Sequence, residues 1–190
     1  MVDIKKELGS SQTVMLVMPG TEYNETVVDT MKQLSGSICY VTANKTFDSL
    51  KELFVKSKVD VKDVVFIDAI SKSLKKVPDQ GEGVYYVSSP GALTELSLVV
   101  DKFLRHDFDY LVFDSVTNLV TYQKVDMCAK FLTSLMEKIK KTKTKTKAVF
   151  YAIGSVKKDP IIDKVAMYVD KVVESGGKVE VKSGVKGGSI

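Results

Sequence analysis

One carboxylate stands where an apolar segment ends, at Asp114. The preceding residues 110–113 read Tyr-Leu-Val-Phe, and the hydroxyl residue Ser115 follows. A short apolar run of this kind predicts a buried strand, and open α/β sheets bind ligands at the carboxyl ends of their strands. An aspartate at such a position can hold Mg²⁺ directly or through water, and it can equally cap the turn that follows. The residues alone leave both roles open.

Apolar runs alternate along the chain with segments of helical periodicity. Strands are predicted at residues 13–18, 38–41, 64–67, 84–87, 110–113, 148–153, 171–173 and 178–181. Between them, apolar residues recur at helical spacing, most completely from Cys128 to Ile139. Ser89-Pro90 and Asp159-Pro160 are predicted to begin helices, and residues 71–83, rich in Lys, Pro and Gly, to form a surface loop. This order predicts an α/β fold with three layers: a mostly parallel sheet covered by helices on both faces.

Composition favours one soluble domain. The chain has 190 residues, of which 44% are hydrophobic and 27% charged, as in ordinary globular proteins. No apolar run approaches the roughly 20 residues that a membrane helix needs, so we expect no transmembrane segment and a cytoplasmic protein. A net charge of +4 does not demand a nucleic-acid partner. We expect one domain over residues 1–190, with a core from about 10 to 175 and a final strand and frayed tail at 176–190.

The strand endings resemble those of the RecA/KaiC-like ATPase superfamily. Residues 109–120 and 148–153 are similar to the second half of a KaiC-like or archaeal RecA-like core, and residues 38–42, 64–68 and 87–90 fit the same pattern. The likeness covers about residues 10 to 175, and the chain looks most like short archaeal relatives whose nucleotide motifs have eroded. The resemblance implies a RecA-like P-loop NTPase fold in which Asp114 occupies the magnesium-binding Walker B position.

The turn after the first strand departs from the phosphate-binding motif of that family, G-x-x-x-x-G-K-[ST]. Residues 19–26 read Pro-Gly-Thr-Glu-Tyr-Asn-Glu-Thr. Gly20 and Thr26 match the motif, the second glycine is missing, and Glu25 stands where the lysine belongs. The positions of the vestigial nucleotide site are Gly20, Thr21, Thr26, Asp114 and Ser115.

A carboxylate in place of that lysine reverses the interaction with a phosphate. Two unit charges about 4 Å apart near a protein surface interact by about 4 kcal/mol, so the exchange changes binding by up to about 8 kcal/mol, discounted for screening. A micromolar ligand has about 8 kcal/mol of binding free energy in all. The glutamate that follows the second strand in KaiC-like ATPases is also absent, because residues 42–45 read Thr-Ala-Asn-Lys. The sequence predicts that conventional ATP binding is lost, with no catalytic residue and no cofactor.

Three functions remain for comparison. The first is a non-catalytic, pseudo-ATPase domain that acts as a regulatory or protein-interaction module, by self-association or by pairing with an intact ATPase paralogue. The second is a divergent ATPase in which Asp114 holds Mg²⁺ and the cation comes from Lys45 or a neighbouring subunit. The third is a salt-sensitive binder of nucleic acid or an anionic membrane surface. Its basic segment comprises Lys141, Lys143, Lys145 and Lys147.

The remaining reactive residue types indicate no further chemistry. Cys39 and Cys128 lie inside apolar runs, without the spacing of a metal site, and are predicted to be buried thiols. The single histidine, His106, lacks a second histidine for a metal site, and no serine stands beside it in a pattern that indicates a triad. We therefore reject hydrolase chemistry.

Overall fold

The computed structural model describes residues 2–141, 145–155, 159–176 and 179–180. Its centre is a nine-stranded sheet in the order β4-β5-β3-β2-β6-β7-β1-β8-β9. The strands are β1 Thr13–Met18, β2 Ile38–Thr42, β3 Val64–Asp68, β4 Gln80–Gly81, β5 Val84–Tyr86, β6 Tyr110–Asp114, β7 Lys147–Ile153, β8 Lys171–Glu174 and β9 Val179–Glu180. The helices are α1 Ile4–Ser10, α2 Tyr23–Gln33, α3 Phe47–Lys56, α4 Ser71–Leu74, α5 Leu93–Leu104, α6 Val125–Lys141 and α7 Pro160–Ala166.

The sheet is parallel except where β4 and β9 join its two ends. The central strands are apolar on both faces, as expected of strands covered by helices on each side. β7 lies between β6 and β1, and β2 pairs with β6 on its other side. The carboxyl ends of β1, β2, β6 and β7 therefore lie at one edge of the sheet, which is where a RecA-like fold would hold its ligand.

Helices cover the sheet on both faces, so the predicted three-layer α/β fold is confirmed. One buried cluster joins α5, α6 and α7 to the sheet through residues such as Leu96, Leu132 and Ile162. The other joins α1, α2 and α3 through residues such as Leu8 and Phe54. The helical layer that contains α1, α2 and α3 positions the candidate site, because α2 follows β1 at the edge of the sheet where the carboxyl ends of the strands lie.

Two local elements were missed or misjudged in the sequence analysis. Helix α1 was not predicted, because only Ile4 and Leu8 mark its buried face; Gln33 at the end of α2 holds it by accepting a bond from the Ile4 amide at 2.8 Å. Residues 71–83 are not simply a loop, since they contain α4 and β4. The buried Asp68 carboxylate accepts bonds from the amides of Ile70 and Ser71 and so begins α4.

The two predicted helix starts had different outcomes. Ser89-Pro90 does not begin α5, which starts at Leu93 after a turn in which the Ala92 amide donates to the Ser89 carbonyl. Asp159 does cap α7, because its carboxylate accepts the Ile161 amide at 3.0 Å. Of the predicted last strand, residues 179–180 pair with β8, whereas residues 178 and 181 and the tail lie outside the described residues.

Candidate functional site

The Asp114 carboxylate lies at the end of β6, fully buried beneath the start of α2. The Tyr40 hydroxyl, on the neighbouring strand β2, donates to Asp114 Oδ2 at 2.7 Å. The Tyr23 hydroxyl, from the first residue of α2, donates to the same oxygen. Among the described residues, Asp114 Oδ1 has no hydrogen-bond partner. Two tyrosines from two elements thus close over one oxygen of the predicted magnesium ligand.

A third tyrosine extends this buried polar cluster. Tyr151 on β7 is the cross-strand neighbour of Asp114, and its fully buried hydroxyl finds no hydrogen-bond partner in the described part of the chain. We refer to Tyr23, Tyr40, Asp114 and Tyr151 as the tyrosine–aspartate cluster. Sequence reasoning missed the three tyrosines. A buried tyrosine hydroxyl usually finds a partner, so Tyr40 within a strand predicted to be buried was the signal available.

Burial dominates the electrostatics of the cluster. Loss of solvation raises the pKa of Asp114 to about 6, while the Tyr23 and Tyr40 hydroxyls, the nearby Asn44 side chain and the Lys45 charge act to lower it. Burial also raises the pKa of Tyr23 and Tyr40 well above the ordinary tyrosine value, and the Asp114 charge raises both further. The tyrosines therefore remain neutral hydrogen-bond donors at every physiological pH.

The corner between β1 and α2 is a tight turn. Only Pro19 separates β1 from the 3₁₀ turn Gly20–Glu22, which continues directly into α2. The Glu22 amide donates to the Pro19 carbonyl at 3.0 Å, and the Tyr23 amide donates to the Gly20 carbonyl. A phosphate-binding loop needs such amides free to face the anion. At this corner the turn itself uses two of them.

Within the described residues, Gly20, Thr21 and Thr26 form no hydrogen bond with the Asp114 carboxylate. Gly20 and Thr21 are exposed in the turn. Thr26 lines an acidic cleft of about 330 Å³ together with Glu22, Glu25 and Asp29. An anion entering that cleft would meet carboxylates, as expected from the charge reversal at Glu25.

Ser115 and Lys45 are both held by neighbours. Ser115 is fully buried after a cis peptide bond to Asp114, with its hydroxyl 3.5 Å from that of Thr117. The Lys45 ammonium donates to Asn24 Oδ1 at 2.8 Å and lies 5.2 Å from the centroid of the Tyr23 ring. Lys45, the residue named by the divergent-ATPase hypothesis, therefore lies beside the tyrosine ring whose hydroxyl contacts Asp114.

The donor set fits Mg²⁺ poorly. Mg²⁺ usually keeps several waters and binds one or two carboxylates in octahedral geometry. Asp114 offers one orphaned oxygen in a buried setting, and its other oxygen already accepts two hydroxyl protons. Within the described residues, no group of three or more His, Cys, Asp and Glu side chains is arranged to hold a metal.

Comparison with known proteins assigns the chain to a family. A family of unknown function, DUF7090, matches residues 4–185. The chain belongs to this family. No curated protein matches the sequence, so the family assignment brings no activity with it.

Solved structures show which fold this DUF7090 chain adopts. A KaiC-like protein of the hyperthermophilic archaeon Pyrococcus horikoshii superposes with a TM-score of 0.57 at 10% identity, covering 92% of this chain and 82% of that one. A type III secretion ATPase of pathogenic bacteria gives 0.54 at 12% identity, covering 86% of this chain. EscN of enteropathogenic Escherichia coli gives 0.56 at 13%, also covering 86%. These likenesses confirm the RecA-like P-loop fold and nothing finer.

The match is partial for two of these neighbours. The chain spans 50% of the length of the type III secretion ATPase and 42% of that of EscN. Their activity therefore belongs to larger proteins than the region shared here.

Two lysines of the basic segment near the end of α6 form ion pairs with carboxylates of the same chain. Lys141 pairs with Glu137 at 2.9 Å, and Lys145 pairs with Asp109 at 2.9 Å. The Lys147 ammonium donates to the Leu8 carbonyl, and Lys143 lies outside the described residues. These internal contacts weaken the nucleic-acid or membrane hypothesis.

The other predicted residues fall where expected. Cys39 and Cys128 are buried free thiols, and burial raises the pKa of Cys39 to about 12. His106 is exposed beside Phe103. Over the ranges that the structure describes, no helix is both long enough and apolar enough to cross a bilayer.

The raised pKa of Asp114 predicts a specific pH dependence of stability. Between pH 3.8, the ordinary value, and about 6, the unfolded chain has released a proton that the folded protein still holds. The contribution of this group to stability therefore falls by roughly 3 kcal/mol as the pH rises through that window, and it is level above it. Urea unfolding measured at several pH values across this range should show the free energy of unfolding of the wild-type protein falling by this amount relative to that of Asp114→Asn. Parallel pH curves for the two proteins would contradict the burial argument.

The two tyrosine hydroxyls can be tested separately. Tyr23→Phe and Tyr40→Phe each remove one donor from a buried carboxylate, so each should lower the free energy of unfolding at pH 7 by about 1–3 kcal/mol. Each should also raise the pKa of Asp114, because the lost hydroxyl bond favours the ionised form. Tyr122→Phe is the matched control, since the Tyr122 side chain is 42% exposed. Two tyrosine variants as stable as this control would refute the hydrogen-bonding role.

Proposed function

We propose that this DUF7090 chain is a RecA-like domain that does not turn over ATP and acts as a regulatory or protein-interaction module. The observation that carries the proposal is the occupation of Asp114 Oδ2 by the hydroxyls of Tyr23 and Tyr40. In an ATPase of this fold, the corresponding carboxylate must face a magnesium ion and its water. Here it faces side chains of the protein itself.

The β1–α2 corner supports the same proposal independently. Glu25 stands where the lysine that binds phosphates is expected, and Glu22 adds a second carboxylate immediately before α2. The amides of Glu22 and Tyr23 are engaged in the 3₁₀ turn. Charge, side-chain contacts and backbone geometry thus all oppose a bound triphosphate.

A divergent ATPase is the second candidate, and one observation favours it. The Lys45 ammonium lies over the Tyr23 ring, close enough to Asp114 to lower its pKa. Rotation of Tyr23 away from Asp114 would leave Lys45 and the carboxylate on the same side of the sheet edge. That arrangement would require loss of the Lys45–Asn24 hydrogen bond and of the Tyr23–Asp114 bond.

Calorimetric titration with MgATP and MgADP separates the two candidates. For a non-hydrolysing module, the wild-type chain should show no binding at micromolar concentration, and its phosphate release should equal that of Asp114→Ala. A micromolar isotherm, with turnover lost in both Asp114→Ala and Lys45→Ala, would refute the proposal in favour of the divergent ATPase. Lys51→Ala is the matched control for the lysine, since this residue lies on α3 with its ammonium over Phe47.

A further inference from the structure

We draw no further inference here: the strongest candidate, the open apolar groove between α5 and α6 that is lined by Leu93, Leu98, Met127 and Phe131, carries none because nothing in the structure shows what covers it.

Discussion

The burial of the Asp114 carboxylate is the constraint around which the carboxyl edge of this sheet is arranged. Asp114 ends a central strand. Burial destabilises the charged form of its carboxylate and raises its pKa to about 6. The cost is limited by hydroxyl bonds from two other elements, α2 and β2. Because each bond needs its helix or strand in place, the carboxylate ties the α2 layer to the middle of the sheet. Asp114 thus contacts both the helical layer that contains α2 and the neighbouring strand of the sheet.

The same interaction explains the shape of the β1–α2 corner. For Tyr23 to reach Asp114, α2 has to begin close to the end of β1, and a single 3₁₀ turn makes the connection. A long phosphate-binding loop would carry this position away from the sheet edge. The turn directs its amides to its own carbonyls and places Glu22 and Glu25 outward, where the positive end of the α2 dipole stabilises their charge. The short turn is thus consistent with the Tyr23–Asp114 contact, and the carboxylates of Glu22 and Glu25 add a separate obstacle to a bound anion.

Periodicity in the sequence was enough for most of the fold, because strands buried on both faces and helices with one buried face leave different patterns. It failed where few residues carry the pattern, as in α1, with only Ile4 and Leu8 buried. It also failed at α4, a helix of one turn that begins where the buried Asp68 carboxylate accepts the Ile70 and Ser71 amides. The carboxylates at Glu22 and Glu25 were visible in the sequence. The partnership of Tyr23, Tyr40 and Asp114 was not, since the residues are up to 91 positions apart and only the strand order brings them together.

The most direct test of this account is an NMR titration of the Asp114 side-chain carbonyl carbon in protein labelled at aspartate, with Asp114→Asn used to assign the signal. The account predicts one titration with a pKa near 6, unchanged when Mg²⁺ and ATP are added, because the carboxylate stays enclosed by the two tyrosines. A pKa that falls below the ordinary aspartate value on addition of Mg²⁺ and ATP would show the carboxylate binding metal, and would contradict the account.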